Sequence, residues 1–238
     1  MNEHFKNVHI IGAGGVASYF LAPFLRTFRP KEITIWDGDT LEKKNLQRQN
    51  FDGKAVGENK AKALIYSIDR DLVPDDARMA WNSKFFTDSE KMEEPPSLIF
   101  VFADNHPARS NVLAFVDMFY VEHGISIPVI VGANELISSE AYIYFPDWPV
   151  GNRLDPRVRY PEIDTVKDDD PTKGCIEESK EVTQLAMSNY IAAGFSMALA
   201  WQWLAHEAEP QDEKYRAVEL SMNLFGMARE TYETLSNP

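Results

Sequence analysis

The sequence predicts an α/β fold: a Rossmann-like, mainly parallel twisted sheet with helices on both faces and antiparallel strands toward the C-terminal end. Three observations predict it. Short apolar runs alternate with stretches of helical periodicity, the pattern of strand–helix units in a mainly parallel sheet with right-handed crossovers. The first apolar run stops at a glycine cluster, Gly12-Ala13-Gly14-Gly15. The second, Ile33–Trp36, stops at the acidic residue Asp37.

Val8–Ile11 ends directly at glycine, as a buried parallel strand does. From Val16 to Phe28 the apolar residues Val16, Tyr19, Phe20, Leu21, Phe24, Leu25 and Phe28 recur at helical spacing. The glycines between them form a tight strand-to-helix turn, where the backbone takes positive φ and approaches a ligand closely. Free N–H groups at the helix start attract phosphate. The spacing is Gly-x-Gly-Gly-x-x-Ser, with Ala17 and Ser18 where the third glycine of a dinucleotide fingerprint belongs, which removes a dehydrogenase as the default. Asp37, roughly 20 residues after the glycines, suits a ribose hydroxyl pair.

Further along, Gly57–Arg70 reads as a helix and Arg78–Trp81 as a third strand. Ser83–Glu94 reads as a short helix or loop, and Leu98–Ala103 as a fourth strand. Ala108–Gly124 is helical, with Val112, Phe115, Val116 and Phe119 on one face. Pro128–Ala133 and Ser139–Phe145 are the next strands. Pro146–Gly174 is proline-rich, carries the run Asp168-Asp169-Asp170 and has little periodicity; a loop this long is usually functional or disordered. Val182–Ala208 is a helix apolar over much of its circumference, so the core or a second subunit buries it. Tyr215–Phe225 adds an edge strand or hairpin.

Whole-chain properties bound the function. A net charge of −13 argues against non-specific nucleic-acid binding, which needs a basic footprint. No apolar run reaches the length of a membrane span, and the N-terminus lacks the apolar core of a signal peptide. A single cysteine excludes an internal disulfide. A cytoplasmic protein with no membrane partner is the expectation.

The segment Asp37-Gly38-Asp39-Thr40-Leu41-Glu42-Lys43-Lys44-Asn45-Leu46-Gln47-Arg48-Gln49 carries the chemistry, together with Gly57-Glu58-Asn59-Lys60-Ala61 and with Ile99–Phe102 followed by Ala103-Asp104-Asn105. Arg48 offers a planar, always-charged fork for phosphate oxygens, and Lys60 a point charge. Asp104 is a hard oxygen ligand for Mg²⁺, which takes only one or two protein carboxylates. Asn45 can hydrogen-bond a phosphate or ribose. Taken singly, Arg48 and Lys60 read as solvated charges, Asp39 and Asn45 as turn residues, and Asp104-Asn105 as a helix start.

In order and spacing these motifs resemble the ThiF/MoeB adenylyltransferases, which share their nucleotide domain with ubiquitin-activating enzymes. The resemblance covers about residues 7 to 210. It implies one adenylation domain over residues 1–238, with a nucleotide-binding core at 7–145, a crossover loop at 146–174, and a long helix and C-terminal strands at 175–238. It implies ATP and Mg²⁺ as cofactors and catalytic roles for Arg48, Lys60 and Asp104, with Asp104 as the metal ligand. Gly12, Gly14, Gly15, Asp37, Asp39, Asn45, Arg48, Gln49, Lys60, Asp104 and Asn105 would contact the nucleotide.

The implied activity is adenylation of the C-terminal carboxylate of a small ubiquitin-fold or sulfur-carrier protein ending in Gly-Gly, with release of pyrophosphate, by a homodimer. Cys175 is either a covalent link to the carrier or a small buried residue; its acidic neighbours Glu177, Glu178 and Asp170 oppose thiolate formation. Two departures stand out. No Cys-x-x-Cys pair is present, so no structural zinc is expected. The first strand begins about seven residues from Met1, leaving no room for the preceding helix whose arginine reaches a partner's ATP site in the family. Either another cation serves, such as Arg26, Arg29 or Arg109, or a separate protein provides it, or the chemistry is slow. The alternatives are a peptide or tRNA-borne carboxylate as substrate, a non-catalytic subunit that completes a partner's site, and, last, a nicotinamide oxidoreductase.

Overall fold

The computed structural model describes residues 5–87, 92, 94–149, 151–165, 186–208, 217–224 and 228–232. Among them, one sheet of eight strands runs in the order β3-β2-β1-β4-β5-β6-β7-β8. Strands β1 (Asn7–Ile11), β2 (Glu32–Trp36), β3 (Arg78–Asn82), β4 (Leu98–Val101) and β5 (Val129–Asn134) are parallel. Strands β6 (Ser138–Tyr144), β7 (Ala217–Asn223) and β8 (Ala228–Tyr232) continue it antiparallel. The predicted fold class therefore holds, including the antiparallel C-terminal end.

Alternation along each strand sends residues to two helical layers. Val8 and Ile10 of β1, Ile33 and Ile35 of β2, Phe100 of β4 and Ala141 and Ile143 of β6 share a core with α1 (Gly15–Phe28), α2 (Lys60–Tyr66) and α6 (Ala186–Ala208). Phe5, Phe20, Phe24, Phe28, Phe100 and Phe102 form a chain of ring contacts in that layer, with centroids 4.5–5.8 Å apart. Ile11, Ile99, Val101, Val129, Val131, Tyr142 and Tyr144 face the opposite side, under α3 (His106–His123) and Ile163 of α5 (Glu162–Thr165). The central strands are buried on both faces, as their unbroken apolar runs require. Edge strand β3 is mostly exposed, which is why its sequence signal is weak.

Several boundaries differ from the sequence reading. The helix expected over Gly57–Arg70 is only Lys60–Tyr66, because Asn59 caps it and Asp69 starts a separate 3₁₀ turn. Strand β4 ends at Val101, so Phe102 and Ala103 belong to the turn beyond it. The region Pro146–Gly174 is not wholly irregular: α4 (Pro156–Arg159) and α5 lie in it, the first started by an Asp155 side chain that accepts from Arg157 N–H. Residues 150 and 166–174 of that region, Cys175 and the start of the predicted helix at Val182 fall outside the described residues.

Candidate active site

The chain places β1, β2 and β3 outward in succession, then returns to lay β4 against the other side of β1. In open α/β sheets such a reversal opens a crevice at the carboxyl ends of the strands. The glycine turn follows β1 and Asp104 follows β4, so both stand at this crevice. Gly12 has φ +94°, and a Cβ there would lie 2.6 Å from the Ala103 backbone nitrogen, so only glycine fits between the two strand ends. Gly14 is the last residue before α1 and nothing lies within 4 Å of where its Cβ would be. The turn is thus closed toward β4 and open toward solvent at the helix N-terminus, the geometry of an anion cradle.

Asp37 fastens the second strand to this turn. Its Oδ2 accepts from Ala13 N–H at 2.7 Å and its Oδ1 from Asp39 N–H at 2.8 Å. Burial pushes the Asp37 carboxyl up to about 6, against the opposing pull of Lys60 and of the two backbone donors. Asn59 then bonds the carbonyls of Asp37 and Asp39 through its Nδ2, at 2.7 and 3.1 Å. Backbone bonds from Leu41 to Glu58 and from Lys60 to Asp39 bring the two segments side by side. The result is a Lys60–Asp39 ion pair of 2.6 Å. Behind β1 and β2, His9 Nδ1 accepts from Trp36 Nε1 at 3.1 Å, and burial lowers the His9 imidazole to about 4, so it stays neutral as a brace.

The Asn45–Gln49 stretch folds as a 3₁₀ turn, Lys43–Gln47. Asn45 is buried and its Oδ1 accepts from Glu42 N–H at 2.9 Å, leaving its amide nitrogen for a ligand. Gln49 is buried, with Oε1 unpartnered among the described residues. Ser18 Oγ donates to Gly15 C=O at 2.7 Å and accepts from Asn50 N–H at 2.9 Å, tying this stretch to α1. The Arg48 carbonyl accepts from Asn189 Nδ2 of α6 at 3.0 Å. No partner for the Arg48 guanidinium or the exposed Asp104 carboxylate is found among the described residues.

The structure therefore gathers Gly12, Gly14, Gly15, Asp37, Asp39, Asn45, Arg48, Gln49, Lys60 and Asp104 at one edge of the sheet. Asn105 also lies there, but its side chain caps α3 by accepting from Ala108 N–H at 2.8 Å. Arg26 and Arg29 stand away from this chain's own glycine turn. Arg26 is in the last turn of α1 and Arg29 is its left-handed C-cap, about 20 Å along the helix from Gly14 at 1.5 Å per residue. Arg109, in the first turn of α3, is on the correct edge; burial raises the Glu140 carboxyl and Arg109 opposes that rise. Sequence reading missed Ser18, Asn59 and Asn189. Their signal is a polar residue at a buried or capping position beside a ligand-binding turn.

No group of three or more His, Cys, Asp or Glu side chains gathers to hold a metal among the described residues. A Mg²⁺ held by one carboxylate, phosphate oxygens and water needs no such group, and the unpartnered Asp104 fits that role.

The architecture and the open glycine turn define a protein of Rossmann-like α/β fold. The model of the ThiF family matches residues 4–235, and the chain belongs to that family. Among solved structures, PaaA matches at 19% identity and TM-score 0.63, covering 96% of this chain and 64% of PaaA. E. coli MccB with ATP matches at 17% identity and TM-score 0.61, covering 98% of this chain and 67% of MccB. The Microcin C7 biosynthetic enzyme MccB in complex with N-formylated MccA matches at 17% identity and TM-score 0.62, again covering 98% and 67%. The chain thus spans about two thirds of the length of these structures. No curated protein matches it. No helix among the described residues is long and apolar enough to cross a membrane.

Proposed function

We propose that the protein is an ATP-dependent adenylyltransferase that activates the C-terminal carboxylate of a peptide or small protein. One observation carries the reading: the cations Arg48 and Lys60 and the carboxylate Asp104 stand around an open glycine turn, with Arg48 and Asp104 unpaired among the described residues. Family membership supports it, as does the likeness to a protein solved with ATP.

In this reading a substrate carboxylate oxygen bonds to the α-phosphorus of ATP, the bond to the bridging oxygen breaks, and pyrophosphate leaves with the electron pair. The protein contributes position and charge rather than covalent chemistry. N–H groups of the glycine turn and the Arg48 guanidinium hold phosphate oxygens. Lys60 leaves Asp39 to neutralise charge on the leaving pyrophosphate. Asp37 keeps the turn in place, and the free Asn45 amide donates to the nucleotide. Asp104 would hold Mg²⁺, which neutralises phosphate charge when bound.

The acceptor class has two supported forms. The sequence motifs suggest a ubiquitin-fold or sulfur-carrier protein ending in Gly-Gly. The likeness to MccB, solved with N-formylated MccA and with MccA-N7isoASN, favours a peptide. Exposed Met187, Tyr190 and Trp201 on α6 support a homodimer. The test is exchange of labelled pyrophosphate into ATP with a pooled peptide library and with Gly-Gly carrier proteins, each with free and amidated C-termini. Exchange must require the free carboxylate; exchange with neither pool, or equally with amidated ends, would overturn the reading.

A further inference from the structure

We propose that Asn189, on the last helix, is a positioning residue that sets the phosphate-binding arginine against the glycine turn. The inference rests on the adenylyltransferase reading and adds a residue to its site. Asn189 is almost fully buried, at 1% exposure, on a helix whose neighbours are mostly apolar. A buried amide must be satisfied, and here it is satisfied across 141 residues of chain, by the Arg48 carbonyl at 3.0 Å. The same amide fills the space beside Gly15: a Cβ there would lie 2.4 Å from Asn189 Oδ1. Gly15 is therefore a glycine for the sake of Asn189, while Gly14 next to it faces open space.

These contacts form a closed circuit. Gly15 C=O accepts from Ser18 Oγ, Ser18 Oγ accepts from Asn50 N–H, the Arg48 carbonyl accepts from Asn189, and Asn189 returns to Gly15. The anchors fall on the Arg48 carbonyl and on Asn50 N–H two residues on, so the Arg48 backbone cannot move away from the turn without breaking the bond to Asn189. The first turn of α6 is itself fixed to the sheet: Ser139 Oγ donates to the Ser188 carbonyl at 2.8 Å and Asn134 Nδ2 to Ser188 Oγ at 3.2 Å. Asn189 thus refers the position of Arg48 to the sheet as well as to its own 3₁₀ turn. The guanidinium, which has no protein partner among the described residues, arrives pre-aimed.

The experiment is a double-mutant cycle on the full chain, read by calorimetric titration with MgATP. Asn189→Ala should weaken binding about five- to tenfold, the scale of one lost hydrogen bond. Asn189→Asp, of the same size but unable to donate, should weaken it at least as much, and serves if the alanine variant does not fold. Arg48→Ala should weaken it further, and adding Asn189→Ala to Arg48→Ala should change nothing more. A residue that only packs would lower the melting temperature and leave the two effects independent. Wild-type affinity in both Asn189 variants, or independent effects in the double mutant, would overturn the proposal. If the wild-type chain binds no MgATP, it is the adenylyltransferase reading that fails.

Discussion

Two regions of this molecule carry buried or half-buried charges, and they use them in opposite ways. On the α3 face, Arg157 is enclosed by its own kind of chemistry. Its guanidinium bonds Asp117, both oxygens of Asp155 and the Tyr144 hydroxyl, while Tyr144 also donates to Asp117 at 2.5 Å. Burial disfavours the cation there, but the bonds to Asp155 and Asp117 overcome it and raise Arg157 above its ordinary value. At the glycine turn, by contrast, the backbone is densely bonded, and beside the Lys60–Asp39 pair the charged ends of Arg48 and Asp104 are left open among the described residues. Asp37 spends both oxygens on backbone N–H groups, yet among the described residues Arg48 and Asp104 bond nothing with their charged ends. A network that is complete within the protein stabilises a fold. One that is complete only with a ligand stores binding capacity.

The sharpest way to break this contrast is to remove the open charges. Arg48→Ala and Asp104→Ala should each lower pyrophosphate exchange by roughly a hundredfold or more, the scale of losing one preorganised charge partner. Their melting temperatures should stay within a few degrees of wild type, since neither side chain has a partner to lose among the described residues. A large loss of stability with retained exchange would invert the two regions' roles.

The converse change should spare activity and cost stability. Arg157→Ala leaves Asp117 and Asp155 without their cation and should destabilise the fold by about 2 kcal/mol in urea unfolding, a discounted figure because the pair is partly exposed. MgATP affinity should not change.

Gly14→Ala and Gly12→Ala sharpen the comparison within the turn itself. Gly14→Ala meets no protein atom, so the fold should survive while MgATP binding weakens about tenfold, by intrusion on the phosphate space. Gly12→Ala combines a positive φ with a backbone clash and should lower the melting temperature instead.

The smallest effect is a pH dependence. Asp37 needs its charge to accept from Ala13 and Asp39 together. With its carboxyl raised to about 6 from 3.8, MgATP affinity should decline as pH falls through 6. Stability should run the other way: the folded state binds more protons between about 4 and 6, so this group's contribution is present below about 4 and is lost as pH rises through 6. Asp37→Asn should flatten the affinity profile, as measured by titrations at pH 5, 6 and 7.

The open region was far more legible in the sequence than the closed one. Asp37 to Gln49 lie within one short segment, and a phosphate site needs charged types at fixed local spacing. Arg157 sits where proline and acidic residues mask any periodicity, so its partners Asp117 and Tyr144 could be found only once β6 and α3 were placed. Asn189 was hidden for the same reason: its meaning depends on a contact with Arg48, 141 residues away in the chain. The placing of Arg26 and Arg29 at the far end of α1 was not legible either, because charge is visible in a sequence, whereas the direction in which α1 leaves the glycine turn is not.

The most direct test follows oxygen. Peptides from the pooled library carrying ¹⁸O in their C-terminal carboxylates are incubated with the protein and MgATP, then cleaved with hydroxylamine. Attack of the carboxylate on the α-phosphate predicts AMP carrying one ¹⁸O, and none with Arg48→Ala. Unlabelled AMP, or ADP with labelled phosphate, would contradict the account.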